Sequence, residues 1–136
     1  MQDYKKPSIT VDVVILNKNK EFILIKRKNS PYKNYWAIPG GFVEYGETVE
    51  RAAIREMKEE TNIDVDLENI IGVYSDPDRD PRGHTITVVF YGFGNIKNMK
   101  ADSDAKDIDI FSYDDLDNIT LAFDHEKILK DAFNLL

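Results

Sequence analysis

The stretch Arg55–Glu60, REMKEE, places three carboxylates within five residues: Glu56, Glu59 and Glu60. On a helix, residues three and four apart share a face, so helical spacing puts all three acids on one side. Alone, this pattern describes an ordinary solvated helix surface, because exposed like charges at that spacing cost only about a few tenths of a kcal/mol. The context is less ordinary. Directly upstream runs PGGFVEYGE, Pro39–Glu47, a Gly-rich turn that feeds the helix and adds Glu47. Gly40 and Gly41 permit a sharp, otherwise strained backbone. Such a turn brings backbone carbonyls and amides close to the acidic face. Hard cations such as Mg²⁺ take oxygen ligands, usually a few carboxylates together with phosphates and waters. No Cys or His stands nearby, so zinc is a poor fit.

The elements that must position these acids are legible from periodicity. Val49, Ala53 and Met57 repeat every four residues, with Ala52 and Ile54 alongside, and predict a helix over about Thr48–Thr61. Asn62 follows as a left-handed C-cap. SITVDVVILN and EFILIKRK read as two strands joined by a KNK turn, and WAIPGGFVE as a short strand interrupted by Pro39-Gly40-Gly41. IDVDLENIIGVYS and HTITVVFYGFG read as further strands, DIDIFS as a short one, and Phe123–Leu136 as a closing amphipathic helix. Strands before and after one long helix, with a second helix at the end, predict an α/β or α+β sandwich around a mixed sheet.

Composition sets the outer bounds. A length of 136 residues suits one domain, expected over 1–136. No apolar run is long enough for a membrane span, and MQDYKKPS has no apolar core of a secretory signal. The absence of cysteine excludes disulfides and a thiolate nucleophile and is compatible with a cytoplasmic protein. A net charge of −7 argues against a sequence-independent nucleic-acid binder. It leaves room for a small phosphorylated ligand bridged by a divalent cation.

The segment GFVEYGETVERAAIREMKEETNI, Gly41–Ile63, resembles the signature of Nudix hydrolases, G-x5-E-x7-R-E-U-x-E-E-x-G-U, with U a bulky aliphatic residue. Gly41, Glu47, Arg55, Glu56, Met57, Glu59, Glu60 and Ile63 meet their positions. Asn62 stands where the family has Gly, and Asn tolerates the left-handed cap conformation. The flanking strands resemble the Nudix fold across nearly the whole chain, an α/β/α sandwich. The resemblance implies hydrolysis of a nucleoside diphosphate linked to another moiety, with Mg²⁺ as cofactor and Mn²⁺ as a substitute. It implies Glu56 and Glu60 as main metal ligands, Glu59 as a third or bridging acid, and the Gly40 carbonyl as a backbone ligand. Arg55 would orient the acids and Glu47 would assist through the metal-water network. Metal ions would neutralise the diphosphate and lower the pKa of an attacking water.

A second stretch, VYSDPDRDPRGHTITVVFYG, bears on the substrate. Asp76, Asp78 and Asp80 alternate as in a calcium loop, but Pro81 and Thr87 fill the positions that need Gly and Glu. The stretch resembles the DPRGH region of ADP-ribose pyrophosphatase-like Nudix proteins. Arg79 and Arg82 would then meet phosphate or ribose, since Arg suits bidentate phosphate contacts, and Arg27 is a third cationic candidate. His84 is given no catalytic role. Tyr32, Tyr35, Trp36 and Tyr74 are candidates to stack on a base. The general base in similar pyrophosphatases comes from a late acidic loop, here KADSDAKDID, with Asp102 and especially Asp104 as candidates. Some family members use a box glutamate instead.

The leading expectation is ADP-ribose cleaved to AMP and ribose 5-phosphate. One alternative keeps the chemistry and changes the substrate to a nucleoside triphosphate or a sugar nucleotide. Another is a ligand-sensing Nudix domain that binds without hydrolysis. Such regulators commonly add a C-terminal winged-helix domain, for which a chain ending at Leu136 leaves no room, and often have eroded boxes. No nucleic-acid or membrane partner is expected, and related pyrophosphatases suggest a homodimer.

Overall fold

The structure, a computed structural model, describes residues 5–102 and 105–136. Its element order is β1 (Ser8–Leu16), β2 (Phe22–Arg27), β3 (Trp36–Ala37), β4 (Gly40–Phe42), α1 (Val49–Thr61), β5 (Asp66–Tyr74), β6 (Thr85–Phe93), β7 (Ala105–Phe111) and α2 (His125–Leu135). Short 3₁₀ turns occupy Ile96–Asn98 and Tyr113–Asn118.

The sheet is mixed, as the strand pattern predicts. β1 runs parallel to β6 along its whole length, and β5 pairs antiparallel on the other edge of β6. β2 and β1 touch only where Leu16 meets Phe22, then splay apart. The segment from β3 to β4 fills the fork: β3 pairs with β2, and β4 pairs with β1 at Thr10–Asp12. β7 closes the other edge of β2. It begins two residues before the DIDIFS stretch, because Ala105 also reaches a partner, Arg27.

Successive strand residues point to opposite faces, and β1 uses both. Val11, Val13 and Ile15 pack with Ala52, Ala53 and Met57 of α1. Val14 and Leu16 pack with Ile128, Leu129 and Ala132 of α2. The sheet is therefore covered on both faces, which explains why β1 is almost continuously apolar. The burial of Met57, which is wholly inaccessible, contributes about 2 kcal/mol.

Helix α1 has the ends that its sequence asks for. Thr48 accepts from the Arg51 amide at 3.1 Å, satisfying one orphan donor of the first turn. Asn62 takes φ 62°, ψ 20° and donates its amide to the Lys58 carbonyl. Ile54, alongside the apolar repeat, lies on the outer side of α1, 45 % exposed.

Candidate active site

The site is built from the fork in the sheet outward. Gly40 and Gly41 do not form the strained turn expected from their sequence. Neither has a positive φ; both lie in β4, opposite Asp12 and Val11. What they supply is room. A Cβ on Gly41 would fall on the Glu56 carboxylate, and one on Gly40 would fall on Asp12 and the Val11 carbonyl. The Glu56 carboxylate is thereby brought against the β4 backbone.

Arg55 organises the acids. Its Nε and Nη2 clasp Glu47 at 2.7 and 2.9 Å, and Nη2 also donates to the Phe42 carbonyl at 3.0 Å. Its Nη1 donates to Glu56 at 2.7 Å and to Glu59 at 3.2 Å. All five guanidinium N–H groups thus have an acceptor. The hydrogen bonds from Arg55, helped by the Glu44 amide, hold Glu47 down at about 2. Glu47 is therefore ionised at neutral pH.

The three acids share a helix but not an environment. Glu59 is half exposed, Glu56 is largely covered, and Glu60 is buried at 6 % exposure. Glu60 lines a cleft on the α2 side of the sheet, together with Gly40, Gly41, Asp12, Arg27, Arg79 and Arg82. The metal donors expected from the signature, Glu56, Glu59, Glu60 and the Gly40 carbonyl, are all oxygens, a set suited to a hard divalent cation rather than zinc. Among the described residues no three acidic or imidazole side chains already converge as a closed cage. The Arg55 hydrogen bonds hold Glu56 and Glu59 in the observed arrangement.

The cationic candidates line the same cleft. Arg27 donates from Nε to the Pro31 carbonyl at 2.7 Å, and its guanidinium lies 5.0 Å from the centre of the Phe123 ring. Arg82 lies 5.7 Å from the same ring and donates to both oxygens of buried Asp80, at 3.1 and 2.8 Å. Arg79 also lines the cleft, but two of its nitrogens are committed. Nε and Nη2 grip Asp124 at 2.9 and 2.7 Å, with the Arg79 side chain only 5 % exposed. This fork ties the Asp-Arg loop to the start of α2.

The aromatic candidates divide. Trp36 packs edge-on against Phe111, and the Tyr74 hydroxyl donates to Asp131 at 2.7 Å. Tyr32 packs on both Tyr35 and Phe123. His84 meets the Ser75 carbonyl at 2.9 Å, across the neck of the loop. Of the two acids proposed from the late loop, Asp104 lies outside the described residues. The Asp102 amide donates to the Glu60 carbonyl at 3.2 Å, so its segment is pinned to the end of α1.

Several cleft residues were not singled out by sequence. Phe123 and His125 come from the start of α2, where Phe123 has a left-handed φ of 52°. That conformation costs a non-Gly residue about 1 kcal/mol or more. The imidazole Nδ1 of His125 accepts the Ile38 amide at 3.0 Å, and burial pushes His125 down to about 3. Asp12 of β1 is 8 % exposed and accepts from the Thr87 hydroxyl at 2.5 Å; burial pushes it up to about 6. An acid inside the β-branched run TVDVVIL was the available signal for Asp12. No local signal marks the α2 residues.

Comparisons with known proteins agree with this geometry. The sequence model of the NUDIX domain matches residues 6–132. An ADP-ribose pyrophosphatase of Methanocaldococcus jannaschii is 53 % identical over 129 residues, covering 94 % of this chain and 74 % of that protein. An ADPR-responsive transcriptional repressor of Acinetobacter baylyi is 33 % identical, covering 96 % of this chain and 55 % of the repressor. This chain thus spans little more than half of that relative. A crystal structure of a bifunctional NMN adenylyltransferase/ADP-ribose pyrophosphatase of Francisella tularensis, complexed with AMP and a Mn ion, aligns with a TM-score of 0.88. It is 30 % identical and is covered over 43 % of its length, against 98 % of this chain. The signature acids, the forked mixed sheet and the family match converge, and the chain belongs to the Nudix family.

Proposed function

We propose that this protein is a Mg²⁺-dependent Nudix pyrophosphatase of the cytoplasm that hydrolyses ADP-ribose to AMP and ribose 5-phosphate, with Mn²⁺ able to replace Mg²⁺. The observation that carries the reading is the shared cleft, which Glu60 and Gly40 line together with Arg27 and Arg82. A metal-bound diphosphate has the charge to meet both the acid and the guanidinium groups. The 53 % identity to an archaeal ADP-ribose pyrophosphatase supports the choice of substrate.

Glu56, Glu59, Glu60 and the Gly40 carbonyl would hold the metal. When bound, it supplies charge neutralisation and an acidified water. Arg27 and Arg82 bind the phosphate oxygens, for which guanidinium forks are suited. Arg55 keeps Glu47 ionised and orients Glu47, Glu56 and Glu59. An acid of the late loop, Asp104 or Asp102, takes the proton from the water as the P–O–P bridge breaks. One water is consumed, and each product keeps one phosphate.

The likeness to an ADPR-responsive repressor favours a second reading, ADP-ribose binding without turnover. The retained box acids support hydrolysis. Purified protein is incubated with Mg²⁺ and a panel of ADP-ribose, sugar nucleotides and nucleoside triphosphates, and products are resolved by chromatography. AMP forming fastest from ADP-ribose is expected. Turnover of another compound with none of ADP-ribose overturns the substrate. Binding of ADP-ribose with no product establishes the sensor.

A further inference from the structure

Asp12 is not part of the signature, yet it is one of three buried acids that line the cleft, with Glu60 and Asp80. Its neighbours along β1 on the same face, Val14 and Leu16, are core residues. An ionised carboxylate is an acceptor only, with lone pairs on both oxygens. Thr87 donates to Oδ2. Oδ1 receives no hydrogen bond from any described residue, and it lies beside Gly40, where a Cβ would otherwise stand. Asp12 also lines the cleft, within the electrostatic reach of Arg79. No buried side-chain oxygen of the described residues lacks a partner, so Oδ1 is reached from the cleft and is open to a donor that enters it.

We propose that Asp12 reads the sugar: its free Oδ1 accepts a hydrogen bond from a hydroxyl of the ribose adjoining the diphosphate. The inference rests on the ADP-ribose reading and narrows it. Gly40 belongs to the part of the cleft assigned to the metal and the diphosphate. What adjoins the diphosphate in ADP-ribose is a ribose on both sides, so the same chemistry reaches Asp12 in either orientation of the substrate. The base is a whole sugar farther away. Neighbouring Arg79, already fixed by Asp124, offsets the repulsion between Asp12 and the phosphates. A site built to hydrogen-bond a hydroxyl disfavours an analogue lacking it, because its acceptor then loses that donor in the bound complex.

The test compares kcat/KM of the full chain with Mg²⁺ for ADP-ribose and for two analogues, each lacking the vicinal hydroxyls of one ribose. Wild type should prefer ADP-ribose over one analogue by about tenfold or more. The preference should shrink in Asp12→Asn, which keeps an acceptor for Thr87, and vanish in Asp12→Ala. An unchanged preference in both variants, or a wild type that does not distinguish the compounds, overturns the proposal. Equal losses on all three compounds in folded variants assign Asp12 to the framework and overturn it too. Should wild type cleave none of them, the ADP-ribose reading has failed, and calorimetric binding decides the fate of Asp12. Either AMP against 2′,3′-dideoxy-AMP, or ribose 5-phosphate against its dideoxy analogue, must then separate in wild type and merge in Asp12→Ala. If neither pair does, the assignment falls.

Discussion

At the scale of single residues, the account turns on Arg55, Gly41 and the box acids. Glu56→Gln and Glu60→Gln should each lower turnover by about 10²–10³-fold while circular dichroism shows an intact fold. Unchanged rates in both would remove the metal role. Gly41→Ala tests the close approach of β4 and α1, since the new methyl falls on the Glu56 carboxylate. Misplacing that acid by about an ångström should cost about 10²-fold in kcat, whereas a glycine needed only for chain flexibility would tolerate Ala. Lysine at position 55 keeps the charge but cannot clasp Glu47 through two nitrogens while also reaching Phe42, Glu56 and Glu59. Arg55→Lys should therefore fall well below wild type in rate at unchanged net charge.

At the scale of elements, the Arg79–Asp124 fork is the strongest link between the loop and α2. Asp124→Asn leaves a buried guanidinium without its counter-charge and should cost about 3 kcal/mol in urea unfolding. A loss under 0.5 kcal/mol, the range of ordinary surface changes, would show that the fork does not anchor α2. The elements differ in how much of themselves the sequence shows. α1 could be read because its information is local: a four-residue apolar repeat and an Asn terminator. The Gly-Gly pair misled because its need is set by Asp12 and Glu56, which approach from β1 and α1, and not by its own dihedrals. The links from the cleft to α2 were illegible because the partners are distant in sequence. Arg79 and Asp124 are 45 residues apart, and His125 meets Ile38 across 87. Arg79 was legible as a cation near the substrate loop but not as a strut.

At the scale of the whole molecule, the sandwich places a neutral imidazole between β3–β4 and the start of α2. Burial holds His125 at about 3, and the nearby Asp124 opposes that less strongly than burial promotes it. The unfolded value is about 6.5. His125 therefore contributes stability fully above pH 6.5, and the contribution is lost as pH falls toward 3. Asp12 has the opposite sign, because its folded value of about 6 lies above the unfolded 3.8, so acidification favours its folded form. The two partly cancel in the wild type. Urea unfolding of wild type and His125→Asn isolates one of them. The stability advantage of wild type over the variant should shrink from pH 7.5 to pH 5, and a constant difference would contradict the buried neutral imidazole. The whole assembly, two helices clamped on a forked sheet, brings Glu60 of α1 to one cleft with Arg27 and Arg82. The most direct measurement is ADP-ribose turnover with Mg²⁺ in wild type beside Glu56→Gln. The account predicts stoichiometric AMP and ribose 5-phosphate from wild type, abolished by EDTA and reduced by about 10²-fold or more in the variant. No hydrolysis by wild type, or hydrolysis indifferent to both EDTA and the substitution, would contradict it.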